Sequence, residues 1–192
     1  LIEGPLEAKP LMVSLARLAG ELGGRPHLKL SDQEFNRIML ENQDETALQH
    51  ENDWAIRMYD DLEADIMIEY VPNDCEFAAV SDEKMSLKRR IRKPLIDRIV
   101  KSKKWVLLGW PNEASAQKSG MSLEDFTDFI LNVSSLDYRK MSEAMKPLED
   151  LINNGTKVRI QGPGTDITFS IDGMGAVPCA GENNIPDGEV YT

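Results

Sequence analysis

Thiols are scarce in this sequence. Cys75 and Cys179 stand far apart and without CxxC spacing, so neither a disulfide framework nor a zinc knuckle is indicated, and a reducing cytoplasm fits. Histidine is as rare: His27 and His50 have no second His or Cys at ligand spacing, which favours solvated or hydrogen-bonded side chains over metal ligands. No Ser or Cys has an identifiable His base, so a nucleophilic triad cannot be argued. Long apolar runs are missing too, which excludes a helical membrane span, and the first residues, LIEGPLEAKP, carry neither a basic leader nor an apolar stretch that would mark a secretory signal. Glycine-rich phosphate motifs fail as well. EGPLEAKP has one glycine where GxGxxG needs three, and the GPGT stretch at 162–165 lacks the Lys-Ser/Thr of a phosphate loop.

Net positive charge is absent. The formal charge of -11 repels phosphate backbones and argues against general nucleic-acid binding. Residues 84–104 are the exception, with ten of the 22 basic residues and a single acid, Asp97. Leu87, Ile91, Leu95 and Ile99 recur there at helical spacing, so the segment reads as an amphipathic helix with a solvated basic face, and Pro94 predicts a kink or break near Lys93.

What remains is ordinary globular composition, 41% hydrophobic and 29% charged, in a chain long enough to bury a full core. Leu11, Leu15, Leu18 and Leu22 form a helical stripe that Gly23-Gly24 ends, and PHLKL alternates like a strand. A helix is expected from Gln33 behind Asp32 as N-cap and another at Trp54 to Leu62, then a strand at 64–71. The run WVLLGW at 105–110 suits a strand covered on both faces of a parallel sheet. Ser122 and Asp125 resemble a capping box, ahead of a helix whose apolar face is Leu123, Phe126, Phe129, Ile130 and Val133. A further helix is expected from Tyr138 to Asn153. The period then changes to two in TKVRI and TDITFSI, joined by the turn QGPG, a pair that can be a hairpin. The expected fold is therefore an α/β layered domain with a mainly parallel sheet flanked by helices over residues 1–172, followed by a β-rich segment and linker at 173–192.

Candidate chemistry is confined to the acidic end. Glu182, Asp187 and Glu189 are close in sequence, and carboxylate oxygens suit hard or borderline cations, but a metal enzyme normally gathers ligands from several segments. On the residues alone, Glu189 is either a solvated strand residue after the Pro186-Asp187-Gly188 turn or the first ligand of a site completed elsewhere.

Three ordered blocks bear on that choice: GWPNEASAQKSGMSLEDFTDFILN at 109–132, VRIQGPGTDITFSIDG at 158–173 and NNIPDGEVYT at 183–192. Together they resemble the thermophilic-type metalloaminopeptidases, the aminopeptidase T and aminopeptidase S group. The resemblance implies removal of single residues from peptide N termini by a two-metal centre using zinc or cobalt, with Glu189 as one metal ligand. It also implies that the remaining ligands lie beyond residue 192 in a catalytic domain beginning in 173–192, that the N-terminal strand is truncated, that this segment alone is inactive, and that the parent is a cytoplasmic homodimer acting on peptides. One departure stands out: where the family often carries Gly-Arg after the TDITFSI-like strand, this chain reads Asp172-Gly173-Met174. The rival reading is a non-catalytic α/β ligand-binding or interaction domain.

Overall fold

A computed structural model describes residues 1–192, and the chain folds as two units, Leu1–Phe129 and Ile130–Thr192.

The first unit begins with strand β1 (Ile2–Gly4), a 3-10 turn (Leu6–Ala8), helix α1 (Lys9–Glu21) and strand β2 (Leu28–Leu30). Helices α2 (Gln33–Asn42) and α3 (Glu45–Asp60) follow, then β3 (Ala64–Glu69), α4 (Asp82–Ser102), β4 (Lys104–Gly109), the short α5 (Glu113–Lys118) and α6 (Leu123–Ser134), whose last residues pass into the second unit. Its strands run parallel in the order β2-β1-β3-β4, as β-α-β connections require.

Side-chain alternation along these strands sends apolar groups to both faces of the sheet. On one face Ile2 and Ile68 pack with Ala8 and Met12 of the 3-10 turn and α1, joined by Leu108; on the other, Tyr59, Leu95 and Ile99 of α3 and α4 pack with Leu1 and Trp105. The WVLLGW strand is thus half-buried and covered from both sides, as its continuous apolar character requires. Gly4 is needed at the end of β1, because a Cβ there would lie 2.9 Å from Ile68 Cβ.

Capping fixes the helix starts. Asp32, Asp44 and Ser81 each accept the backbone N–H three residues on, in α2, α3 and α4 respectively. The basic segment is a helix with Ile91, Leu95 and Ile99 buried, and of the kink or break expected near Lys93 no break occurs, since the helix continues through Pro94. Burial of three side chains on one face outweighs the missing backbone donor. In α1 the leucine stripe is only half used: Leu11 and Leu15 touch the core, while Leu18 and Leu22 remain exposed. Helix α6 likewise buries Phe126 and leaves Leu123 and Phe129 exposed.

The second unit contains α7 (Tyr138–Asn153) and the strands β5 (Lys157–Gly162), β6 (Thr165–Ser170), β7 (Val177–Cys179), β8 (Asn184–Ile185) and β9 (Glu189–Tyr191). Strands β5 and β6 form an antiparallel hairpin closed by Pro163-Gly164, with Gly164 at φ 73°. Ile160 lies directly opposite Ile167, and both are exposed. Strands β7 and β9 form a second antiparallel ribbon. No helix is long and apolar enough to cross a membrane.

Candidate metal centre

The β7–β9 ribbon gathers the acidic end of the sequence. Its register sets Glu189 opposite Cys179, and the turn between them carries Asp187. Ligand-type atoms of Cys179, Asp187 and Glu189 all lie within 4.8 Å of one another.

Local backbone chemistry explains why this loop holds its shape. Asp187 accepts two backbone N–H bonds at 2.9 Å, one from Gly181 to Oδ2 and one from Gly188 to Oδ1. Glu182 Oε2 accepts the Ala180 N–H at 2.7 Å, so a second carboxylate is spent on the loop itself. Two glycines then seat the ribbon on α7. Gly181 has φ 85° and a Cβ there would stand 2.9 Å from the Tyr138 ring; Gly188 has φ 139° and a Cβ there would stand 2.8 Å from Met141 Sδ. Gly181 therefore needs glycine twice over, for its backbone conformation and for its approach to the Tyr138 ring, whereas Gly188 needs it for its backbone conformation, since the end of the flexible Met141 side chain can yield.

The three clustered groups are not equivalent as donors. Glu189 is exposed and its carboxylate makes no hydrogen bond within the chain, which leaves all of its lone pairs free. Asp187 has both oxygens engaged by backbone amides. Burial, followed by the negative charges of Asp187, Glu189 and Glu182, pushes the Cys179 thiol up, so it stays protonated and is a poor ligand unless a cation displaces its proton. Oxygen donors with one free carboxylate suit a divalent cation, and Glu189 is the group available to hold it, but one free carboxylate is too few for a closed site.

Sequence reasoning pointed to Glu182, Asp187 and Glu189; the structure brings the last two together and uses the first as a loop brace. It also adds Cys179, which spacing arguments could not select because its proximity depends on strand pairing across the nine residues 180–188. His27 and His50 are exposed in the first unit, on the approach to β2 and on α3, and neither joins a ligand cluster.

The family model for thermophilic metalloproteases (M29) matches residues 1–192, the whole of the chain. A comparison with curated proteins finds no match.

Proposed function

The chain belongs to the thermophilic metalloprotease (M29) family, and from that premise we propose that it is part of an aminopeptidase that removes single residues from peptide N termini at a two-metal centre. The observation that carries the assignment of Glu189 is its free carboxylate, held beside Asp187 and Cys179 on a braced ribbon. Two divalent ions, zinc or cobalt, supply Lewis-acid polarisation of the scissile carbonyl and the attacking water in this reading.

The contribution of these residues is positional. Glu189 offers the carboxylate, Asp187 ties the turn to Gly181 and so fixes the backbone that carries it, and Gly181 and Gly188 let the ribbon approach α7. Residues 173–192 then open a catalytic domain whose other ligands come from further chain, so the 192-residue segment alone is inactive. The parent is a cytoplasmic homodimer in the same reading.

Glu189→Gln tests the assignment in the full-length protein, because it preserves size and hydrogen-bonding capacity while removing the charge. Hydrolysis of aminoacyl-nitroanilides falls by about 100-fold or more and metal content drops, with circular dichroism unchanged. Parental turnover together with full metal occupancy removes Glu189 from the centre.

A further inference from the structure

In the first unit a cavity of about 560 Å³ opens between α2, α3 and α4 and reaches Glu3 of β1 and Lys29 and Leu30 of β2. Its volume lies within the range of small-molecule sites, about 300–1,000 Å³. Leu30, Ser31 and Asp32 line it as well, so it reaches the carboxyl end of β2, an end at which open α/β sheets take ligands.

Asn52 is the telling group. It lines this cavity, only 4% of its surface is exposed, and neither Nδ2 nor Oδ1 has a hydrogen-bond partner. An unpaired buried amide is destabilising, so a side chain of this kind calls for a partner from outside the chain. The charges of the wall are not evenly matched either. Glu3 is paired with Lys29, Glu51 accepts from Gln43, and Asp32 caps α2, whereas Lys88 and Arg92 form no hydrogen bond or ion pair. Lys88 is fixed by the face of Phe77, 5.6 Å from the ring centroid. Burial, with the adjacent Arg92, pushes the Lys88 ammonium down, an unfavourable state that a bound anion relieves. Phe35, Met39, Trp54 and Met58 supply an apolar wall.

We propose that this cavity binds a small organic monocarboxylate with an apolar body, its carboxylate held by Lys88, Arg92 and the Asn52 amide and its body lying against Phe35, Met39 and Trp54. A single negative charge fits better than a phosphate dianion, because Glu3, Asp32 and Glu51 share the wall. This site belongs to the first unit and is independent of the metal assignment.

Calorimetric titration of the full-length protein with 3-phenylpropanoate tests it, with 3-phenylpropanamide and inorganic phosphate as controls. Saturable binding of the acid is expected, with the amide and phosphate at least about tenfold weaker. Asn52→Leu, an apolar isostere, raises the dissociation constant by about tenfold and raises the thermal midpoint of the ligand-free protein, and Lys88→Met weakens binding by a similar factor. If Lys88→Met fails to fold, Asn52→Leu alone decides. The proposal is overturned if the acid shows no saturable binding, which means a cavity holding water only. Acid binding that survives Asn52→Leu unchanged also overturns it, since that places the ligand elsewhere, at the metal centre for instance. Equal affinity for acid and amide removes the carboxylate from the recognition.

Discussion

Replacing Asp187 probes the brace behind the candidate metal ligand. Its carboxylate takes the Gly181 and Gly188 amides, each at 2.9 Å, but the two bonds differ in setting: the first is partly buried and the second is exposed. Water can take over the Gly188 amide, so only the Gly181 bond counts in full. A hydrogen bond to a charged acceptor contributes about 1.5–3 kcal/mol, which puts Asp187→Ala near 2 kcal/mol, felt as local opening of the β7–β9 ribbon rather than as global unfolding. Asp187→Asn retains one carbonyl oxygen and costs about 1 kcal/mol. Amide hydrogen exchange reads the effect directly: protection of the Gly181 N–H falls roughly thirtyfold in the Ala variant and about fivefold in the Asn variant. Metal content of the full-length protein falls in the same order, because a freed turn no longer holds Glu189. Parental protection at Gly181 in the Ala variant refutes the brace, and parental metal content beside lost protection refutes its link to the ligand.

Two further outcomes concern the first unit. Asp65 is 1% exposed, its Oδ2 accepts the Tyr59 hydroxyl at 2.7 Å and its Oδ1 has no partner. Burial is the main force that raises its folded-state pKa, only partly offset by the Tyr59 bond, with Glu3 adding to the rise. A carboxyl raised on folding contributes most below its unfolded pKa and loses that contribution as pH climbs through the folded value. Asp65→Asn, which keeps the acceptor for Tyr59, is therefore more stable than the parent by about 1 kcal/mol at pH 7, and the advantage shrinks towards pH 4; urea denaturation at the two pH values checks the sign. Pro94→Ala restores the donor missing from the middle of α4 and gains about 1–2 kcal/mol in the same assay, and an unchanged midpoint shows that the helix has already absorbed the defect.

Much of the layered fold could be read from the chain, because each cue was local. The alternation of β-type and helical periods, the Asp32 cap and the doubly apolar WVLLGW run all acted through neighbours within a few residues. Helix α3 was placed about nine residues late because its first half, ETALQHEND, is polar and hides the period; the Asp44 cap was the signal that marked its start. The stripes of α1 and α6 show which face is apolar and not how far the neighbouring layer extends, so Leu18, Leu22, Leu123 and Phe129 lie exposed on them. At the acidic end the residues were visible but their grouping was not. Cys179 meets Glu189 only through an antiparallel register, and Asn52 meets its cavity only through the packing of three helices.

The seating of Gly181 and Gly188 on Tyr138 and Met141 means that the address of Glu189 is written mainly in a helix some fifty residues upstream. Tyr138 and Met141 stand one helical turn apart, so a one-residue insertion in α7 between them would rotate one anchor about 100° away from its glycine. Grafting this carboxylate onto another scaffold therefore requires four residues to travel with it as a unit, the two side chains of the helix and the two glycines of the ribbon. The ten-residue motif alone would carry the ligand without its coordinates.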